Sequence, residues 1–511
     1  MHPGVALSLH APDGERPRRV DLLVVGGGIN GAGIARDAAG RGVSVALVEQ
    51  GDFGGATSSA STKLIHGGLR YLEQYEFRLV AEALAEREVL LRIASHIARP
   101  LRFVMPHVEG LRPSWMIRAG LFLYDHIGGH ISLPRSEHVR LSRDGAGAGL
   151  APRFRSGYAY SDAWVDDARL VILNLRSAQA HGAQLLPRTR FVSATAHRGR
   201  WRATIEHEDG ARGTIDAQAL VNAAGPWVES VAAAAGGRST RASVQLVKGS
   251  HVVVPRIHAQ PHAYILQNDD RRVVFLIPYE RDFTLLGTTD VRVESMAAAR
   301  AIDADETRYL LRAANRYLAR PLAERDVVWS YCGVRPLYDD GSNDPSEITR
   351  DYTLELRTFD GAAQLDIYGG KLTTYRRLAE AALDRLAPYL SYRRGRWTSG
   401  EPLPGAAADP YAARAELHAR YPQLPKTLLD ALFHRHGTLA AQVLGDATTI
   451  KTLGEDLDGG LYERELRWFV EHEWARSAED VLWRRSKAGL HMGAQSRQRV
   501  AALLAEPEKA A

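Results

Sequence analysis

A single cysteine, Cys332, gives the chain no partner for an intrachain disulfide, and no Asn-x-Ser/Thr sequon occurs, which favours a reducing compartment. Long apolar runs are also missing. The longest stretch free of Asp, Glu, Lys and Arg, Leu22 to Ala35, has 14 residues, short of the ~18 needed to span a bilayer. No basic block of five or more residues and no RNA-recognition motif is present, so a net charge of +5 points to no nucleic acid. It suits anionic ligands or anionic lipid instead. Internal repeats are absent. His434-x-His436 has no further Cys or His at ligand spacing, so no metal is expected. Cys332 has no activating triad and reads as a packed residue.

What is there is an ordinary globular composition, 45% hydrophobic and 24% charged, over 511 residues, enough for roughly three folding units. Residues 1–19, rich in Pro, Gly, His and Arg, read as a disordered leader. From Val20 the pattern is βαβ: strands at Val20–Val25 and Val43–Glu49, with alanine-rich helical spacing at Ile29–Arg41 between them. Glu73–Ile97 carries one apolar helix stripe. Ala242–Pro255, Arg272–Ile277 and Phe283–Gly287 read as antiparallel strands, covered by a helix whose capping box is Asp303 and Glu306. After the Pro- and Gly-rich stretch Thr398–Pro410, strand-like runs disappear and a helical C-terminal domain, 401–511, is expected.

Gly26-Gly27-Gly28-Ile29-Asn30-Gly31 fits GxGxxG at a strand-to-helix turn, where the helix N-terminus offers free N–H groups to a pyrophosphate. Gly26, Gly28, Ile29, Asn30 and Gly31 are therefore candidate dinucleotide contacts. Glu49 follows Gly26 by 23 residues, the place for a carboxylate that accepts from ribose hydroxyls and disfavours a 2′-phosphate. The fingerprint alone does not separate FAD from NAD.

Four further segments narrow the choice: Ala56 to Tyr71 (ATSSASTKLIHGGLRY), Lys248-Gly249-Ser250-His251, Cys332-Gly333-Val334-Arg335-Pro336, and Gly369-Gly370-Lys371-Leu372-Thr373-Thr374-Tyr375. On these the chain resembles the FAD-dependent glycerol-3-phosphate dehydrogenases of the bacterial aerobic type, within the glycine/D-amino-acid oxidase superfamily, from about Val20 to the C-terminal helices. The resemblance implies an α/β mosaic: a Rossmann-like FAD-binding domain (about 20–100, 160–240 and 330–385), an antiparallel-sheet substrate domain (about 100–160 and 241–330) within the oxidoreductase region 20–400, and the helical C-terminal domain. Ser58, Ser59, Thr62, Lys63, Leu64, His66, Gly67, Gly225, Gly333, Gly370, Leu372 and Thr373 join the expected FAD contacts. Hydroxyls suit a pyrophosphate, and small residues let backbone N–H groups approach a flavin.

The resemblance further implies oxidation of sn-glycerol 3-phosphate to dihydroxyacetone phosphate by hydride transfer to FAD, with electrons passed to membrane quinone. It nominates Arg70, Arg335 and Arg350 as phosphate-matching guanidiniums, with Tyr71 and Thr289 as neutral donors. Lys371 and Arg335 would stabilise a developing alkoxide, and His251 could take the hydroxyl proton, although Arg335 or Lys371 could assist in its place. Peripheral attachment to the inner face of the cytoplasmic membrane is expected, through Trp115–Ile127 or Tyr392–Trp397, and a homodimer is compatible with the sequence. The competing readings are a flavin oxidase that uses oxygen, on glycerol 3-phosphate or an amino acid, and a non-catalytic flavin- and RNA-binding protein.

Overall fold

The apolar run that follows the leader becomes the strand Arg18–Val25, flanked in parallel by Val45–Val48 and Arg212–Asn222. The computed structural model describes residues 18–73, 75–108, 112–129, 131–237, 243–270, 272–299, 301–339 and 351–505. All of the expected leader but Arg18 and Arg19 lies outside them. The first sheet runs Thr353–Phe359, Ala362–Tyr368, Arg212–Asn222, Arg18–Val25, Val45–Val48, Gln184–Leu186, parallel along this path except for its first pair, and the strands Thr189–His197 and Arg200–His207 add antiparallel pairing onto Arg212–Asn222. A parallel sheet is covered on both sides, so its strands are apolar throughout. Leu22 and Val24 pack with the helices Ile29–Gly40, Asp167–Ala180 and Tyr375–Leu386. Leu23 and Val25 instead meet the hairpin Thr189–His197 and Arg200–His207.

The second sheet has ten strands and is antiparallel apart from Ala98–Pro106 beside Ala263–Gln267. On one face lies the helix Ala304–Asn315, with the expected capping box: Glu306 N–H donates to Asp303 Oδ1 at 2.8 Å, and Asp303 N–H donates to Glu306 Oε2 at 3.3 Å. The helices Phe77–Ile93 and Ser114–Ile127 close the other face. Leu64–Ile65 and Trp329–Tyr338, both placed in FAD-binding segments from sequence, are strands of the second sheet, the latter paired along Val244–Pro255. Each carries the chain across the seam between the sheets, so composition alone could not assign it.

The C-terminal helices Pro410–Arg420, Lys426–His436, Glu463–Glu473 and Ala494–Ala505 form their own core around Leu429, Phe469 and Val481. This domain is bolted to the first sheet by buried charge. Arg169 makes a two-nitrogen pair with Glu473, its Nη2 at 2.9 Å, and the Phe53 ring meets Trp474 edge-on at 5.2 Å.

Candidate active site

A cavity of about 740 Å³ opens where the carboxyl ends of the parallel strands face the second sheet, within the ~300–1,000 Å³ of small-molecule and cofactor sites. Its floor is the glycine turn. Gly26 has φ +110°, and a Cβ at Gly31 would lie 1.9 Å from Gly26 O, so only glycine lets the helix start this close to the strand. Gly31 itself does not line the cavity; it packs the turn, while Gly26, Gly28, Ile29 and Asn30 face inward. Glu49 accepts from Gly27 N–H at 2.7 Å and Gly51 N–H at 2.8 Å. Burial pushes its carboxyl up, against those two donors.

Along one wall run Ser58, Thr62, Leu64 and His66, with Gly225 opposite and Gly333, Gly370, Leu372 and Thr373 closing the far end. Ser58 Oγ accepts from Ile29 N–H at 2.9 Å, tying the Ser/Thr run to the helix start. Three expected cofactor contacts face elsewhere. Lys63, at φ +60°, sends its ammonium to buried Asp167 at 2.8 Å, and its carbonyl accepts from Val165 N–H. Ser59 closes its own turn, hydroxyl and N–H both on Ala56 O. Gly67 N–H donates to Tyr124 Oη at 2.8 Å, and that hydroxyl donates to Asp162, whose carboxyl burial pushes up to about 6. None of the three lines the cavity.

Arg335, Lys371, His251 and Tyr71 all line the cavity, Lys371 against Tyr71 and Arg335 close enough to His251 for its charge to act on the ring. The Arg335 guanidinium is held by Asp290 Oδ1 at 2.7 Å and Thr289 O at 2.8 Å. The Lys371 ammonium sits 3.9 Å from the centre of the Tyr71 ring, a cation–π contact. His251 stacks on Tyr331 at 4.8 Å and shares a hydrogen bond with Thr62 Oγ1 through Nε2 at 2.9 Å. Burial, then the charges of Lys63 and Arg335, holds its imidazole well below the ordinary histidine range. His66 is lowered to about 4 by burial and by Lys371.

Thr289 requires a correction. Its hydroxyl points away from the cavity, donating to Glu306 at 2.7 Å and accepting from Ser250 N–H at 2.9 Å; it is Thr288 that faces inward. Glu306 also accepts from Ser250 Oγ and pairs with Lys248 at 2.7 Å, so this buried carboxylate anchors the strand end that carries Arg335's acceptor. Arg350, and the side chain of Arg70, lie outside the described residues. Sequence reading missed Thr288, Trp227, the stretch Thr189–Val192 beside Glu49, and Arg484 of the C-terminal domain, all of which line the cavity.

The donor set fits a dinucleotide flavin. Asn30 Oδ1 and His251 Nδ1 are buried without a hydrogen-bond partner among the described residues, on two residues that line the cavity.

Comparison with known proteins agrees. The family model "FAD dependent oxidoreductase" matches residues 21–353, and "C-terminal domain of alpha-glycerophosphate oxidase" matches 397–509. The chain is 50% identical to the aerobic glycerol-3-phosphate dehydrogenase of Escherichia coli (strain K12), over 95% of this chain and 97% of that one. It is 47% identical to a D-erythritol 1-phosphate dehydrogenase of Brucella abortus (strain 2308), over 93% and 96%. Among solved structures, the glycerol-3-phosphate dehydrogenase from Bacillus halodurans complexed with FAD superposes with a TM-score of 0.72 at 26% identity, covering 95% of this chain and 94% of that one. The chain therefore belongs to the FAD-dependent oxidoreductases, in the branch that holds the aerobic glycerol-3-phosphate dehydrogenases.

Proposed function

We propose that the protein oxidises sn-glycerol 3-phosphate to dihydroxyacetone phosphate and delivers the electrons to a membrane quinone. The observation that carries this reading is that Arg335, Lys371, Tyr71 and His251 all line a dinucleotide-sized cavity. Gly26, Gly28, Ile29, Asn30, Glu49, Ser58, Thr62, Leu64, His66, Gly225, Gly333, Gly370, Leu372 and Thr373 would hold FAD, which supplies a two-electron acceptor for hydride when bound.

The chain's own groups then divide the remaining work. Arg335, fixed by Asp290 and Thr289 O, offers a guanidinium already oriented for an anionic oxygen, so little is lost in ordering it. Lys371, seated on Tyr71, is a second fixed cation beside the same space. Both favour the C2 alkoxide over the alcohol and so lower the barrier to loss of the hydroxyl proton. His251 is kept neutral by its surroundings, which leaves it free of a proton but weakens it as a base, and the hydroxyl proton is assigned to it on the family resemblance, with Arg335 or Lys371 assisting. Arg70 and Arg350 are assigned to the phosphate.

Peripheral attachment is supported by the helix Ser114–Ile127. Its inner face buries Ile117, Leu121 and Tyr124, while Trp115 and Phe122 are 69% and 66% exposed, joined by Met116 and Leu123. Such an outward apolar face suits a lipid interface. Among the described residues, no helix is long and apolar enough to cross a membrane. Tyr392–Trp397 does not serve as a second lipid face: Trp397 packs under Arg36 and Arg394, and its indole N–H donates to Asp37 O at 3.1 Å.

Anaerobic titration of the purified holoprotein with glycerol 3-phosphate tests the reading: bleaching of the flavin band is expected, and glycerol should leave the band unchanged. D-Erythritol 1-phosphate measures how far the site tolerates a fourth carbon. Absence of bleaching by glycerol 3-phosphate would overturn the substrate assignment.

A further inference from the structure

We propose that the C-terminal domain completes the cofactor site, with Arg484 as a cation for the adenosine diphosphate half of FAD. The inference rests on the FAD reading of the cavity and extends it to a domain with no assigned part in it. Among the described residues lining the cavity, Arg484 alone comes from beyond Thr373. It enters beside Glu49, Gln50, Gly51, Gly54 and Gly55, the end that holds the ribose-binding carboxylate and the start of the Ser/Thr run.

Arg484 and Arg485 occupy a π-helical turn, Asp480–Arg485, a rare element that recurs at functional sites. Both reach Asp52, on the loop that walls the cavity. Arg485 is bidentate, at 2.6 and 2.7 Å, and Arg484 donates through Nε at 2.5 Å. Arg484 Nη2 and Arg188 Nη2 meet Asp480, each at 2.5 Å. Arg484, Arg485 and Arg188 thus meet Asp52 and Asp480 close to the Glu49 carboxylate, and Arg484 is the guanidinium of the three that lines the cavity. Glu479, 3.8 Å from Arg484 Nη1, and Glu208, 3.6 Å from Arg188 Nε, are 65% and 45% exposed, so water screens them. A guanidinium at the cavity wall matches the oxygens of a diphosphate with paired donors. The other reading makes Arg484 a strut between domains, already satisfied by Asp52 and Asp480. The two readings differ in what the cofactor senses.

The test strips FAD from the full-length holoprotein and titrates the apoprotein with FAD, and separately with ADP, following flavin fluorescence quenching and binding heat. Arg484→Ala should weaken both ligands about tenfold or more, Arg484→Lys should recover most of the loss, and wild-type affinity should fall with salt more steeply than that of Arg484→Ala. Arg188→Ala breaks the same Asp480 contact without lining the cavity and should bind FAD within about twofold of wild type. FAD binding by Arg484→Ala within twofold of wild type overturns the assignment. An equal loss in Arg188→Ala overturns it too, because the effect would then run through domain docking. Wild-type apoprotein that binds FAD in the same titration keeps the family reading standing in either case.

Discussion

The Lys371 ammonium rests on the face of Tyr71, 3.9 Å from the ring centre, in the cavity that Arg335 also lines. A cation seated on a ring face has its position set by that face. If the ring is what places the charge, Tyr71→Phe retains the face and should slow anaerobic flavin bleaching only a few fold. Tyr71→Leu removes a contact of about 0.5–2 kcal/mol and should slow it several fold further. Lys371→Ala, which takes away the charge itself, should cost about 100-fold or more. Equal rates for the Phe and Leu variants would show that the hydroxyl, not the ring, matters.

The proton acceptor can be probed by pH. Burial, Lys63 and Arg335 all favour the uncharged His251 ring, so its folded-state protonation lies well below the usual histidine range. The active, neutral form therefore persists as the pH falls through 6.5, and the bleaching rate should stay flat from pH 8 to about 6.5. A rate that halves near pH 7 in wild type, with that limb lost in His251→Gln, would contradict the assigned environment.

Stability should also depend on pH. His66, His258, His262 and His434 are each lowered to about 4, chiefly by burial. Below pH 6.5 the unfolded chain takes up protons that the folded chain refuses, so stability falls as the pH drops from about 6.5 toward 4. The slope is up to about 1.4 kcal/mol per pH unit for each such group. Asp162, raised to about 6, and the raised carboxyls of Asp37, Glu49, Glu86, Glu280 and Glu479 act in the opposite sense, but the lowered histidines, which also include His96, His251, His436, His472 and His491, outnumber them. Thermal melts at pH 7.5, 6 and 5 should show a steadily decreasing Tm.

Thr289→Val separates the observed role of that residue from the expected one. Loss of its hydroxyl leaves buried Glu306 and the Ser250 N–H each short of a partner, which should destabilise the fold by about 1–3 kcal/mol in urea unfolding. Flavin content should be unchanged. A rise in KM without a change in stability would restore the direct substrate contact.

At the domain seam, Glu473→Gln breaks the buried pair with Arg169 and should cost about 3–5 kcal/mol, because a guanidinium is left without its counter-charge. Limited proteolysis should then release the C-terminal helices from the variant at protease levels that leave wild type intact.

Lipid attachment is the remaining case. Phe122→Ser removes one exposed ring from the outward face of Ser114–Ile127; burial of such a side chain is worth about 1.5–3 kcal/mol. Binding to anionic vesicles in a sedimentation assay should fall about tenfold or more, with flavin content unaffected.

What the sequence disclosed was mostly what is local along the chain. The glycine turn, Glu49 and the Asp303–Glu306 capping box are read from spacings of a few to two dozen residues, and they sit where that spacing puts them. Thr288 and Thr289 could not be told apart, because which of two adjacent side chains faces a cavity depends on strand register with a partner far away. Lys63 was misplaced for a related reason. Its left-handed backbone turns the side chain toward Asp167, over a hundred residues on, and no local pattern signals that turn. Arg484 was invisible because the loop it meets lies at the other end of the sequence.

That last separation bears on biosynthesis. Asp52 and Arg484 are 432 residues apart, and at about 5–20 residues per second a ribosome needs roughly 20–90 s to pass from one to the other. Throughout that interval the loop at Asp52 exists without its C-terminal clasp. Premature termination after Asp52 and before Arg484 would leave a chain with the nucleotide fingerprint intact and that clasp missing for good.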